Sequence, residues 1–386
     1  MKILPPCNVA ISSKQSCYQI ITWSELIFSV VYKGLDHSMK SSYNYRMNHT
    51  KPRKCLRLLF AALVLFNVIL PGSCQSRPAN PGQQAGAEQP VWNGVPGEFK
   101  AAVTDVLRPG EPFVVAAAGA GIPQGNARMQ AVLIMGDKAL NRGTFFKLGV
   151  TSRRGPVSAA IMAVPSTAVF GKAILRIETS GKVLHTLEIT IEERRFISET
   201  IEITQAMSDI LSNPDPEKTR QAERMWAIWA ATGNEIYTEG NFVMPVVSQV
   251  QTSVFGTRRI YKYPSGKTST SIHAGVDWRA PTGTLITAPA AGKVVLAMNR
   301  ITTGNTVVLE HMPGVYSLYY HMNKLIVSEG DMVITGTTLG EAGATGFATG
   351  AHLHYEIRVA TENADPAIFM TRKILDKEAI LTILNN

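Results

Sequence analysis

In His352-Leu353-His354-Tyr355-Glu356-Ile357 polar and apolar side chains alternate at every position, and an extended strand sorts such a string into one polar and one core face. His273, Gly275 and Asp277, two apart, share a face in the same way, with the glycine leaving its centre clear. A third run ends in His321, with Ser317 and Tyr319 on its face. Chemistry at alternate positions commits this part of the chain to β-structure. It also gathers five of the eight histidines (His273, His311, His321, His352 and His354) between residues 271 and 359.

Metal binding is the first explanation to test for such a cluster. The four cysteines, Cys7, Cys17, Cys55 and Cys74, all lie upstream, so a metal beyond residue 74 rests on imidazole and carboxylate. Zinc suits that donor set. A catalytic zinc takes three protein ligands and keeps a fourth position for water. Two histidines then remain for proton transfer and for stabilising an oxyanion. Each string alone is common; the set, in order within a glycine-rich β-region, is specific. The sequence has neither the Gly-x-Ser-x-Gly turn of serine hydrolases nor the His-Glu-x-x-His helix of other zinc peptidases.

The net charge of +9 is no sign of a nucleic-acid partner, because residues 1–74 carry nine Lys/Arg against two Asp/Glu and hold most of the excess. Residues 1–74 read as a presequence. A basic run at 51–57, a mostly apolar core at 58–70 and small residues up to Cys74 have the three-part layout of an export signal. The core is short for a membrane span, which needs about 20 residues, so a cleaved signal is favoured and an uncleaved membrane anchor is the alternative. Met47 or Met39 is the natural start of such a segment. Two readings of its end stand side by side. Gly72-Ser73-Cys74 resembles a lipoprotein cleavage site that leaves Cys74 lipidated and membrane-attached, with Pro71 as a departure; otherwise a plain signal is cut nearby.

Residues 75–92 are a linker by their Pro, Gln and Gly content. Residues 93–196 read as closely spaced strands (112–117, 130–135, 144–150, 157–163, 173–178 and 183–191), a pattern that predicts an immunoglobulin-like β-sandwich. His185 there is alone and reads as structural or exposed. Residues 197–240 read as a helical connector. In it Asp215 caps a helix with Pro216 at its first position, and Gly233 ends it. Met225, Trp226 and Trp229 make a packing stripe on that helix.

The carboxy-terminal part, residues 241–370, resembles the lysostaphin-type (LytM-like) zinc endopeptidases that cut peptidoglycan peptides. The likeness runs through His273-Ala274-Gly275-Val276-Asp277, Ala280-Pro281-Thr282-Gly283-Thr284, Tyr316-Ser317-Leu318-Tyr319-Tyr320-His321, Gly343-Ala344-Thr345-Gly346 and His352-Leu353-His354. The resemblance implies a mainly β, antiparallel metallopeptidase domain. It also implies one zinc ion held by His273, Asp277 and His354, with His321 and His352 as the catalytic pair and peptidoglycan stem peptides as substrate. Glu356 shares the face of His354 and reads either as a partner that orients an imidazole or as a solvent-exposed carboxylate. His311 stands outside the family's set and reads as structural. Residues 371–386 are a carboxy-terminal tail. The expected protein is an exported or periplasmic zinc endopeptidase; the alternative is a non-catalytic relative that binds and activates another cell-wall hydrolase.

Overall fold

In the computed structural model the described residues are 92–94, 99–104, 106–119, 122, 128–231, 233–248 and 250–386. They belong to one compact unit, residues 83–386. The presequence, its apolar core at 58–70, the linker and Cys74 lie outside them. Among the described residues no helix is long and apolar enough to cross a membrane.

The chain is mainly β. The amino-terminal part is two five-stranded sheets. One runs Trp92–Gly94, Phe99–Thr104, Pro112–Gly119, Gly155–Ala163, Phe146–Ser152 in spatial order; the other runs Val106–Leu107, Lys182–Ile191, Gly171–Thr179, Met129–Met135, Lys138–Thr144. Alternation explains their packing: Ala173, Leu175 and Ile177 of one strand are buried together with Ala131, Leu133, Phe113 and Val115 in one core. Lys138–Thr144 falls outside the expected segments and pairs with Met129–Met135.

The carboxy-terminal part is built on one antiparallel sheet. Its path is Gln251–Ser253, Val276–Arg279, His352–Val359, Val315–Met322, Gly304–Met312, Gly292–Arg300, Met332–Val333, and Glu362–Ala364 pairs off it. One face carries Val276, Trp278, Leu353, Tyr355, Ile357 and Tyr319 in the main core. The helix Pro216–Ala230 covers part of the other face, laying Met225 and Trp229 on Leu296, Val308, Tyr316, Leu318 and Tyr320. Trp226 is half exposed rather than part of that stripe.

The connector is not helical throughout. Residues 198–202 form a strand, Ser198–Glu202, because Arg258–Lys262 offers a parallel edge and Thr200 and Ile201 favour extension. The helices Gln205–Ser212 and Pro216–Ala230 follow, with Thr204 and Asp215 accepting from backbone amides as caps. The second helix stops before Gly233. That glycine serves close approach instead: its amide donates to Glu310 Oε1 at 2.9 Å, and a Cβ would sit 2.8 Å from the same atom.

The segment after residue 370 is folded core rather than a loose tail. The helix Lys377–Asn385 buries Ile380 and Leu384 in the cluster that holds Val114, Phe146 and Leu148 of the amino-terminal sheets. Asn141 and Arg372 reinforce the junction by donating to the carbonyls of Ala360 and Pro112. The two parts therefore share one hydrophobic core.

His311 lies wholly inside. Its Nδ1–H donates to Ala291 O at 2.8 Å, and Ser317 Oγ, held by the Tyr319 hydroxyl, donates to Nε2 at 2.7 Å. This Ser–His pair is sealed from solvent and is structural. Burial pushes the His311 pKa down to about 4, so the folded state resists a proton that the unfolded chain accepts. Stability from this group is complete above the ordinary value of 6.5 and is lost as pH falls towards 4, on the order of 3 kcal/mol in full. We predict that urea unfolding of H311N shows a lower midpoint at neutral pH and a shallower fall between pH 6.5 and 4 than wild type; parallel pH curves would contradict this.

Candidate metal centre and flanking histidines

Strand register brings the sequence-distant groups together. Asp277 pairs directly with His354, and His354 with Tyr320 on the next strand. Neighbours in register share a face, so Asp277, His354, Glu356 and Tyr320 all lie opposite the main core. His273 and Asp277 are not on one continuous strand. Residues 273–275 are the turn between Thr268–Ile272 and Val276–Arg279, which belong to different sheets. Gly275 is required there by the neighbouring strand: a Cβ would lie 2.1 Å from Tyr355 O.

His321 departs from alternation as well. Strict alternation puts it on the core side with Ser317 and Tyr319, yet its ring lies 4.9 Å from that of His352 and 6.1 Å from that of His354. The cause is a β-bulge. Asn305 pairs with Met322 and Val307 with Tyr319, so Tyr320 and His321 oppose the single residue Thr306. His321 takes a left-handed backbone, φ 61°, which costs about 1–2 kcal/mol for a residue with a Cβ and turns its ring onto the site face.

The outer hydrogen bonds decide which nitrogen of each ring is free. His273 Nδ1–H donates to Val254 O at 2.9 Å, leaving the Nε2 lone pair inward. His354 Nε2–H donates to Glu356 Oε1 at 3.0 Å, leaving Nδ1 inward. Asp277 Oδ2 accepts from Arg259 Nη2 at 2.6 Å, leaving Oδ1 inward. Those three inward atoms lie within 4.8 Å of one another. Three lone pairs facing one point in a buried site need a cation between them, and two imidazoles with one carboxylate is a donor set that fits zinc. The chain's own atoms supply only a proton. Burial works against charge on His354, but hydrogen bonds to Asp277 and Glu356 outweigh it and raise the pKa to about 9. The proton then sits between His354 Nδ1 and Asp277 Oδ1, 2.7 Å apart. Burial likewise opposes ionisation of Asp277, and the two histidines overcome it, holding the carboxyl far below its ordinary range.

His321 and His352 flank this centre with matching tautomers. His321 Nδ1–H donates to Thr345 O and His352 Nδ1–H to Gly350 O, both at 2.8 Å, so each keeps Nε2 free. Burial, with the neighbouring histidines, lowers the His321 pKa to about 3 and keeps that ring neutral. His352 Nε2 lies 3.7 Å from Asp277 Oδ1. Tyr320 stacks on His354, centroids 5.2 Å apart and planes within 7°, closing the ring's far side. Glu356, whose role the sequence left open, is buried against His354. Arg259, Glu199 and Ser253 escaped sequence reading, since nothing in an alternating, arginine-bearing strand marks a residue as reaching a site.

With this geometry in view, comparison with known proteins is informative. Residues 271–366 match Peptidase family M23. The likeness to that family is carried by this segment of the chain. The chain is 35% identical to the DD-carboxypeptidase/endopeptidase Mpg of Neisseria meningitidis across 135 residues, 35% of this chain and 30% of that protein. It is 39% identical to the peptidoglycan DD-endopeptidase ShyA of Vibrio cholerae across 87 residues, 22% of this chain and 20% of that protein. The chain thus spans less than a third of the length of these relatives. A candidate M23 peptidase from Pseudomonas aeruginosa aligns over 68% of this chain and 94% of its own, with 23% identity and a TM-score of 0.48.

Exchange of the His354 proton for a metal ion would have a measurable sign. Because His354 holds its proton up to about pH 9 without metal, uptake of zinc releases a proton, and apparent zinc affinity rises with pH up to that value. Competition titrations should give one zinc per chain with that slope in wild type and no site in D277A or H354A; a pH-independent affinity would contradict protonation of His354 in the metal-free chain.

Proposed function

We propose that this protein is an exported zinc endopeptidase that hydrolyses peptide cross-links of bacterial peptidoglycan. The observation that carries the reading is that all five side chains converge, three offering inward lone pairs and two offering free Nε2 atoms beside them. The relatives named as peptidoglycan DD-endopeptidases support the substrate class, and the layout of residues 47–74 supports export, with Cys74 as a membrane attachment point. The amino-terminal sheets we take as an immunoglobulin-like sandwich that holds the catalytic part.

His273, Asp277 and His354 would hold the zinc, which when bound acidifies a water and polarises a carbonyl. The remaining work falls to this chain's residues. His321, neutral and fixed by Thr345, takes a proton at Nε2. His352, fixed by Gly350, would take up a proton at Nε2 from solvent or from the attacking water, and would then donate it to the developing oxyanion or the leaving amine. Glu356 and Tyr320 prevent rotation of His354 by a hydrogen bond on one edge and a stacked ring on one face.

Backbone hydrogen bonds of residues 234–248 run to His311, Phe369, Pro289 and Thr287. Phe242 lies on the side opposite the site face, against His311 and Phe369, while Ser253 and Val254 meet His273 only on its outer nitrogen.

Purified protein with zinc should release monomeric muropeptides from cross-linked ones. A chelator should abolish release and added zinc restore it. H321A and H352A should keep zinc while losing about 10²–10⁴-fold in kcat. Cross-linked fragments left intact by zinc-loaded wild type, or cut equally well by H354A, would contradict the reading.

A further inference from the structure

We propose that Arg259 and Glu199 set the metal affinity of the centre by fixing the Asp277 carboxylate and the His273 ring from outside. Both precede residues 271–366, so the centre would be completed by a strand outside the matched domain. The inference rests on reading the centre as a zinc site.

The small sheet Ser198–Glu202, Arg258–Lys262, Thr268–Ile272 makes the connection. Glu199 stands opposite Arg259 in parallel register, Arg259 stands opposite Ser271, and the third strand leads directly to His273. The Arg259 guanidinium reaches three acceptors. Nε donates to Glu199 Oε1 at 2.7 Å, and Nη2 donates to Asp277 Oδ2 at 2.6 Å and to Ser253 Oγ at 3.0 Å. Ser253 Oγ donates to Glu199 Oε1 at 3.3 Å and lies 3.2 Å from His273 Nδ1. One cluster therefore touches two of the three ligands, each on the atom turned away from the metal.

Two effects of opposite sign compete. The guanidinium's positive charge opposes a divalent cation nearby. Its hydrogen bond, however, occupies Oδ2 and keeps Oδ1 turned towards His273 and His354. Without it, Oδ2 would be an unpaired charge at a side chain only 10% exposed. Glu199 offsets the guanidinium's charge while leaving its planar fork in place, so orientation outweighs repulsion. The loss expected on removing such an outer partner is about 10–100-fold in metal affinity.

The test is zinc affinity of the full chain, measured by competition with a chromophoric chelator, with cobalt(II) absorption to report ligand geometry and melting of the metal-free protein to report folding. R259Q should bind zinc about 10–100-fold more weakly than wild type, with R259K recovering part of the loss and E199Q falling between R259K and wild type. An R259Q affinity equal to wild type, or tighter, would overturn the proposal by showing that repulsion balances or outweighs orientation. If R259Q does not melt cooperatively, E199Q decides: weaker zinc binding with a shifted cobalt spectrum supports the proposal, and wild-type values overturn it. Wild type that binds no zinc would sink the zinc reading itself, a result distinct from wild type and variants binding alike.

Discussion

Everything at the candidate site depends on hydrogen bonds that point away from it. Val254 O, Glu356 and Arg259 each take up the outer atom of one ligand, and by doing so fix an inward lone pair on His273, His354 and Asp277. An imidazole has two nitrogens and a carboxylate two oxygens, so ligand identity alone does not create a metal centre. Commitment of the second atom does. The same device recurs at His321 and His352, whose Nδ1–H groups are spent on backbone carbonyls so that Nε2 stays free.

The scaffold supplies those outer partners from separate places. Val254 and Arg259 come before the M23 domain and Glu356 from within it. Gly275 allows the turn bearing His273 to lie against the strand bearing His354. Behind them, one hydrophobic core runs from Leu353 and Tyr355 through Phe369 and Leu384 to Phe146 and Val114. Burial on this scale makes the amino-terminal sheets part of the carboxy-terminal part's foundation. It also lets the chain hold a left-handed His321 against its intrinsic preference.

Much of this was legible in the sequence, because alternation is a physical signal. His352, His354 and Glu356 had to share a face, with Leu353, Tyr355 and Ile357 on the other. Asp215 and Pro216 marked a helix start for the same kind of local reason. The misses have non-local causes. His321 reaches the site although Ser317 and Tyr319 face the core, because a bulge inserts one residue that no local pattern near residue 320 announces. Residues 198–202 were read with the helices because their partner strand lies about sixty positions on. Residues 371–386 looked like a tail because the surface they cover belongs to the opposite end of the chain. Arg259 and Glu199 carry no motif; only the folded sheet puts them beside Asp277.

The most direct test of the three-ligand centre is zinc-edge X-ray absorption on the zinc-loaded full chain. The account predicts a four-coordinate ion with two imidazole nitrogens at about 2.0 Å, one carboxylate oxygen and one further light atom. A shell with three or more imidazoles would mean that His321 or His352 has entered the coordination sphere, and a shell with none would mean that the ion sits elsewhere; either would contradict it.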